Sequence, residues 1–207
     1  MTVVSIEKQK KHLTAVGFDD GTELLLDNDI CSMHCLHTGD VLTDEKVGEL
    51  KHESDYTRAK SRAIWYLDRA SHTEKALYDK LVRAGFEKTA CAEVIARFVE
   101  LGLVDDRSFA ENFAERCMNS GISKREAVYK MMLKGVPRDI AYEAVDAIDT
   151  DEEEQIRTLL QKKYLSKLAS ENGTQKVYAA LIRKGFSFSA VKNVLKKYSE
   201  ELEYSEE

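Results

Sequence analysis

Three stretches of similar sequence, spaced 50 residues apart, decide how this chain folds. They read Leu81-Val82-Arg83-Ala84-Gly85-Phe86, Met131-Met132-Leu133-Lys134-Gly135-Val136 and Leu181-Ile182-Arg183-Lys184-Gly185-Phe186. Each stretch begins with two apolar residues and has another directly after its glycine. A fixed internal period of this length is typical of tandem helical repeats. The sequence therefore predicts three copies of one helical unit, at residues 58–104, 105–150 and 151–198.

A helix start and a helix end flank each stretch. Capping boxes, in which a side-chain oxygen and a later acid or amide satisfy free backbone N–H groups, predict the starts. They are Ser71-x-x-Glu74, Ser123-x-x-Glu126 and Asn172-x-x-Gln175. Glycine ends the helix because it adopts the left-handed conformation without a Cβ clash. Pro137 then fits the first turn of the helix that follows.

Apolar stripes on both sides of this central helix predict two further helices in each unit. The stripes after the glycines are Val94/Ile95/Phe98, Ala144/Val145/Ile148 and Val194/Leu195/Tyr198. The stripes before the central helices are Ala63/Ile64/Leu67, Phe109/Phe113/Cys117 and Ile156/Leu159/Leu160. Because one three-helix unit is small, we expect stacked units that share a core.

The first 57 residues have a different pattern from the rest of the chain. Short β-compatible runs surround the turn signal Asp19-Asp20-Gly21-Thr22, which favours a hairpin. We predict a sheet of two or three strands, a short helix around residues 28–36 and an acidic connector near residues 44–55. The predicted fold is thus mostly α, with a small β-containing segment at residues 1–57 and an acidic tail at residues 199–207.

Composition narrows the class of protein. The chain has 207 residues, 43% of them hydrophobic and 33% charged, with one proline, which favours a helix-rich soluble protein. No apolar run reaches the ~20 residues of a membrane helix, and the start lacks the hydrophobic region of a secretory signal. We therefore expect a cytoplasmic protein whose four cysteines are free thiols.

The net charge of −6 hides a segregation of charge along the chain. Residues 1–57 carry 5 Lys/Arg and 12 Asp/Glu. Residues 155–198 carry ten Lys/Arg against the single acid Glu171, a local excess of +9. Such an excess predicts a surface that faces a polyanion or an acidic protein.

The positions of some cations suggest where this surface lies. Lys124 and Arg125 follow the predicted cap Ser123, and Lys176 occupies the equivalent first turn of the third unit, where cations oppose the helix dipole. This placement favours an anion site, and a solvated surface charge is the alternative. The candidate partner-binding residues are Lys124, Arg125, Lys130, Lys163, Lys167, Lys176, Arg183, Lys184, Lys192 and Lys196.

Two clusters could bind a metal, and for both we favour a structural interpretation. Asp105-Asp106 with Glu111 and Glu115 could hold Mg²⁺ in a nuclease, but an aspartate before an apolar run is typical of an N-cap. Residues 31–37 contain Cys31, His34, Cys35 and His37, possible zinc ligands without a second separated pair. For these cysteines we favour burial against the sheet.

No motif of a known catalytic or cofactor site accompanies these clusters. The chain contains no glycine-rich phosphate loop, nucleophile elbow or zinc-protease motif. We therefore predict no catalytic residue, metal, cofactor or small-molecule substrate. On the predicted helix that contains Trp65 and Tyr66, we expect one ring to pack and the other to be partly exposed.

Several segments of the chain, taken together and in their order, resemble one known family. The segments are Tyr66-Leu67-Asp68-Arg69-Ala70-Ser71-His72-Thr73-Glu74 with Leu77, Leu81 and Gly85-Phe86, then Leu101-Gly102-Leu103-Val104-Asp105-Asp106-Arg107-Ser108-Phe109-Ala110, and Lys134-Gly135-Val136-Pro137. In this order they resemble the RecX family of regulatory proteins. With Asp19-Asp20-Gly21 and Leu36-His37-Thr38-Gly39-Asp40, the resemblance covers roughly residues 3–198.

The resemblance implies a non-enzymatic modulator of the RecA recombinase, made of tandem three-helix repeats that lie in the groove of the RecA nucleoprotein filament. There it would inhibit strand exchange, ATP hydrolysis and coprotease activity, and so act in DNA repair, recombination and the SOS response. The implied partner is the RecA filament, including its DNA, and we expect a monomer. A sequence-independent DNA-binding module and a nuclease-type enzyme are the alternatives.

Overall fold

The computed structural model describes residues 1–9 and 12–205. The chain divides into two compact units, Met1–Asp105 and Asp106–Glu207. Most of the predicted acidic tail, residues 199–205, is part of the last helix, which continues to Ser205. The last two residues of the tail, at 206 and 207, lie outside the described residues.

The N-terminal segment is a three-stranded antiparallel sheet, the larger of the two predicted sizes. Its strands are β1 (Val3–Lys8), β2 (Leu13–Phe18) and β3 (Glu23–Asp27), paired in chain order. A short helix, α1 (Asn28–Met33), follows β3 directly, and the side chain of Asp27 caps it. One face of the sheet buries Val16, Phe18 and Leu26, because side chains alternate between the two faces of a strand.

The predicted acidic connector is wrong, because these residues form the first half of a 24-residue helix, α2 (Asp44–Leu67). Thr43 accepts a hydrogen bond from the Lys46 N–H at 3.2 Å and so caps this helix. The first turn contains Asp44 and Glu45, whose negative charges interact favourably with the positive end of the helix dipole. The predicted boundary at residue 57 therefore falls inside α2, whose Leu50 is buried in the core of the sheet.

The rest of the chain forms three helical repeats, as predicted. The first repeat comprises α2, α3 (Glu74–Arg83) and α4 (Lys88–Glu100), and the second comprises α5 (Asp106–Asn119), α6 (Lys124–Leu133) and α7 (Arg138–Asp146). The third comprises α8 (Glu152–Lys163), α9 (Leu165–Leu168), α10 (Gly173–Arg183) and α11 (Phe188–Ser205). The short α9 is an addition that the period did not predict.

Among the described residues, each repeat has its own core, whereas we expected stacked units to share one. Separate buried clusters form around Leu77 and Phe98 in the first repeat, Met131 and Val145 in the second, and Leu181 in the third. Within each repeat, the apolar faces of the helices pack against one another and bury these side chains almost completely. A single repeat can therefore form a small core without its neighbours.

The three glycines of the 50-residue period end the middle helices α3, α6 and α10. Gly85, Gly135 and Gly185 have φ of 93°, 94° and 86°, in the left-handed region. In each case the N–H of the next residue donates to the carbonyl four residues before the glycine, as in Phe86 to Leu81 at 3.4 Å. This is the Schellman arrangement, and the prediction of a glycine cap is confirmed.

Two of the three predicted side-chain N-caps of the middle helices are wrong. Thr73 caps α3 in place of Ser71, accepting a hydrogen bond from the Ala76 N–H at 3.1 Å, whereas Ser123 caps α6 as predicted. The equivalent position of the third repeat is Gly173. Asn172 before it has a left-handed backbone, φ 56°, and its side chain makes no capping bond. The cause is the extra helix, because Gly173 is buried against the carbonyls of Lys167 and Leu168 around the end of α9.

In two of the three repeats, a carboxylate from the first helix accepts a hydrogen bond from the start of the last helix. The N–H of Glu87 donates to Asp55 at 3.0 Å, and the N–H of Ser187 donates to Glu152 at 2.8 Å. The second repeat has Pro137 at this position, which has no N–H to donate. Pro137 is the N-cap of α7, one residue before the first turn in which we predicted it.

Candidate interaction surface

Two of the predicted partner-binding cations donate hydrogen bonds to backbone carbonyls of the protein itself. Lys124 Nζ donates to the carbonyl of Ile148 at 2.8 Å, two residues beyond the end of α7. Lys176 Nζ donates to the carbonyl of Glu171 at 3.0 Å. Carbonyls that follow a helix carry partial negative charge, which favours an ammonium group beside them. These bonds explain why both first turns accept a lysine, without an external anion.

Other predicted cations contact neighbouring side chains on the surface. Lys130 pairs with Glu126 at 2.9 Å and Lys196 pairs with Glu200 at 3.6 Å, each four residues apart on one helix. The ammonium of Lys167 lies 5.5 Å from the centre of the Tyr164 ring. Exposed pairs of this kind stabilise a fold only weakly, so a partner with stronger charge can replace them.

The folded chain partly neutralises the excess of +9 in residues 155–198, because Glu153 of the acidic run at residues 151–154 contacts cations of this segment. Glu153 accepts from Asn193 at 3.1 Å and from Lys197 at 3.0 Å, and Arg157 lies 3.5 Å away. The hydrogen bond from Asn193, and then that from Lys197, lowers the pKa of Glu153. Part of the cationic segment is thus neutralised by the acids just before it.

The remaining cations of the third repeat border two grooves. Lys163 lines a cleft of about 630 Å³ whose other walls include Glu115, Asp151 and Glu154. Lys192 and Lys196 line an apolar groove of about 380 Å³ between α10 and α11. The second groove combines like charges with an apolar floor, a better setting for an acidic partner than the first.

A junction inside the second unit brings further predicted cations together. Ser123 Oγ donates to the carbonyl of Lys184 at 2.5 Å and also accepts from the Glu126 N–H at 3.2 Å. A Cβ placed on Gly185 would lie 3.1 Å from the Cβ of Arg125. The start of α6 therefore abuts the end of α10, and the exposed Arg125 lies beside Gly185, the residue after Lys184.

The outward face of α6 carries a group of exposed apolar side chains that was not predicted from the sequence. Tyr129, Met132 and Leu133 are 62%, 44% and 70% exposed, and Arg125 lies on the same face. We refer to these four residues as the outer stripe. The signal was present in the 50-residue register, since the positions of Tyr129 and Leu133 hold Asp79 and Arg83 in the first repeat. In the third repeat they hold Ala179 and Arg183.

The first unit carries a cluster of arginine and tryptophan around the end of α2. The guanidinium of Arg69 lies 3.6 Å from the centre of the Trp65 ring, and that of Arg62 lies 5.5 Å away. Trp65 is 43% exposed, whereas Tyr66 packs against the core of the first repeat. The expectation that one ring packs and the other is partly exposed is confirmed.

The candidate zinc ligands do not converge. Because α1 ends at Met33, Cys31, His34 and Cys35 do not share one helix face. His34 Nε2 lies 2.6 Å from Glu53, and Cys35 is exposed with a left-handed backbone, φ 48°. Cys31 is partly buried against the core of the sheet, and this burial raises the pKa of its thiol. The predicted burial is wrong for Cys35, which is exposed.

Carboxylates of the predicted nuclease cluster lie on α5. Asp106 is its first residue and is buried, whereas Glu111 and Glu115 are exposed. Across residues 1–9 and 12–205, no group of three or more His, Cys, Asp or Glu side chains could hold a metal ion. Within that same part of the chain, no helix is both long and apolar enough to cross a membrane.

Comparisons with known proteins agree with this architecture. The model of the first three-helix domain of RecX matches residues 59–98, and the model of the third matches residues 151–195. A regulatory protein RecX of Clostridium tetani is 27% identical over 203 residues, covering 95% of this chain and 93% of that protein. One of Streptococcus gordonii is 29% identical, covering 93% of this chain and 75% of that protein.

Solved structures show the same fold. A crystal structure of a regulatory protein RecX aligns with a TM-score of 0.68 at 19% identity and covers 93% of this chain and 98% of that chain. A RecX from Lactobacillus salivarius aligns with a TM-score of 0.62 at 24% identity, covering 69% of this chain and 96% of that chain. Three helical repeats behind a small sheet, two matched RecX domains and relatives that match along nearly the whole chain lead to one conclusion. The chain belongs to the RecX family of regulatory proteins.

Proposed function

We propose that this protein binds the RecA nucleoprotein filament and modulates, mainly inhibits, its recombinase, ATPase and coprotease activities. It acts as a monomer in the cytoplasm, by binding and without catalysing a reaction. The observation that carries this proposal is the match to regulatory RecX proteins along nearly the whole chain. Tandem helical repeats also suit the role, because they present extended surface to a partner.

The partner face lies in the second unit. Its cations are Arg125, Arg183 and Lys184 around the junction of α6 and α10, with Lys192 and Lys196 at the apolar groove. Lys130, Lys163 and Lys167 add surface charge nearby in sequence. Lys124 and Lys176 support this face indirectly, by donating hydrogen bonds to the carbonyls of Ile148 and Glu171.

The test is ATP hydrolysis by RecA on single-stranded DNA with increasing amounts of the protein. We expect the rate to fall, and to fall less as salt rises, because charge attraction is screened over roughly 8–10 Å. RecA alone at each salt concentration is the control. A rate that stays constant at every concentration of the protein would contradict the proposal.

A second candidate function is sequence-independent DNA binding, and the cluster around Trp65 favours it. Guanidinium groups beside an exposed indole, as in Arg62, Trp65 and Arg69, can contact phosphates and bases of a single strand. This candidate predicts binding to DNA without RecA, with an affinity that falls steeply with salt. It also predicts that Trp65→Ala weakens such binding.

A further inference from the structure

The outer stripe of α6 faces away from the core of the second repeat. On a helix with 3.6 residues per turn, Tyr129 and Leu133 lie opposite Ala127 and Met131. Ala127 and Met131 are completely buried, whereas Tyr129 is 62% and Leu133 70% exposed. Two large apolar side chains therefore occupy the centre of a face that the fold presents to solvent.

The fold itself does not need an apolar pair at these positions. The first repeat holds Asp79 and Arg83 there, the third holds Ala179 and Arg183, and both form the same glycine-capped middle helix. A single exposed leucine is ordinary on a protein surface. An apolar pair one turn apart, on one of three equivalent helices, is instead typical of an interaction site.

The charges around the outer stripe indicate the chemistry of its partner. The exposed Arg125 lies at one end of α6, and the exposed Lys134 follows Leu133 at the other. The neighbouring carboxylate, Glu126, is paired with Lys130 at 2.9 Å. Through the bond from Ser123, Lys184 also lies at the start of α6. An apolar centre with cations at both ends complements an apolar surface that is bordered by carboxylates.

We infer that the outer stripe docks against a protein surface of the RecA filament, one with exposed apolar side chains and an acidic border. This inference rests on the proposed function and assigns one contact within it. The alternative occupant, the DNA of the filament, fits less well. A phosphate backbone offers no apolar surface to Met132 or Leu133, and aliphatic side chains do not stack on bases as aromatic rings do.

The test transfers the residues of the first repeat to the second. The double variant Tyr129→Asp, Leu133→Arg carries the pair found at Asp79 and Arg83 and leaves the net charge unchanged. A matched control, Met33→Asp with Val41→Arg, removes two residues that are 70% and 78% exposed in the first unit. Binding of each labelled protein to preformed RecA filaments on single-stranded DNA, and to naked single-stranded DNA, is measured by fluorescence anisotropy.

We expect the double variant to bind filaments at least about ten-fold more weakly than the wild type, because central apolar contacts dominate many interfaces. Its circular dichroism and melting should match the wild type, and the control should bind normally. Equal binding by variant and wild type would overturn the inference and leave the proposed function intact. An equal loss of affinity for naked DNA would reassign the stripe to DNA. No binding of the wild type to filaments would overturn both.

Discussion

The middle helices of the second and third repeats differ on their outer faces and agree inside. Both α6 and α10 place apolar residues at the same buried positions and end at a left-handed glycine. Outside, Tyr129 and Leu133 on α6 correspond to Ala179 and Arg183 on α10. The shared positions are those that the fold requires. The positions that differ are therefore where the repeats can take separate roles in binding.

The largest expected effect concerns how the third repeat begins its middle helix. A Cβ on Gly173 would overlap the carbonyls of Lys167 and Leu168, whereas the equivalent positions in the other repeats hold Thr73 and Ser123. We expect Gly173→Ala to lower the free energy of unfolding by at least about 2 kcal/mol, as measured by urea denaturation. Gly48→Ala in α2, where a Cβ meets nothing within 4 Å, is the control and should not destabilise. Equal midpoints for the two variants would contradict this packing.

The next comparison is between the glycine caps of the first and third repeats. Gly85→Val and Gly185→Val should each cost at least ~1 kcal/mol, because both glycines have a left-handed backbone. Gly185→Val should lower the free energy of unfolding more than Gly85→Val does. A Cβ at position 185 would also lie 2.9 Å from Ser123 Oγ, whereas a Cβ at position 85 would meet nothing within 4 Å. Denaturant midpoints measure both. A larger loss at Gly85 would argue against the junction of α6 and α10.

An effect of similar size is expected at the cap of α6. Ser123→Ala removes both the bond to the Glu126 N–H and the bond to the Lys184 carbonyl. Thr43→Ala removes a bond to the Lys46 N–H in an exposed cap. We expect a loss of about 2 kcal/mol for Ser123 and about 1 kcal/mol for Thr43, from thermal or urea unfolding. Similar losses would mean that the junction contributes little.

The sequence predicts features that depend on neighbouring residues and misses those that depend on distant ones. A left-handed cap is a local requirement of the backbone, so the glycine period identifies the ends of all three middle helices. The cap of α10 fails because α9 changes how the chain enters that helix. In the candidate surface, Lys124 donates to a carbonyl that is 24 residues away in sequence, and Ser123 donates to a carbonyl that is 61 residues away. Residue spacing in the sequence cannot predict either contact.

The smallest expected effect separates the first repeat from the third by its pH dependence. In the first repeat, His52 on α2 lies 3.0 Å from Glu93 on α4 and 3.3 Å from Glu87. The hydrogen bond with Glu93, and then that with Glu87, raises the pKa of His52 above 6.5. Its stabilisation is complete below pH 6.5 and is lost as the pH rises through the raised pKa.

The third repeat joins its first and last helices by Glu153 and Lys197, which lie 3.0 Å apart. The pKa of Glu153 is lowered from 4.5, so its stabilisation is lost only as the pH falls below that value. Between about pH 6 and 8, His52→Gln should therefore change the slope of melting temperature against pH, and Glu153→Gln should not. A changed slope for Glu153→Gln in that window would contradict these assignments.

The most direct test of the central claim, that the second unit carries the partner face, is sedimentation of the protein with preformed RecA filaments. The test variant reverses Arg183, Lys192 and Lys196 to Glu and keeps Lys176, which holds the Glu171 carbonyl. The control reverses the exposed Lys8 of β1. We predict that the wild type and the control co-sediment equally and that the triple variant remains largely in the supernatant with unchanged melting. Full co-sedimentation of the triple variant with loss of the Lys8 variant would contradict the account.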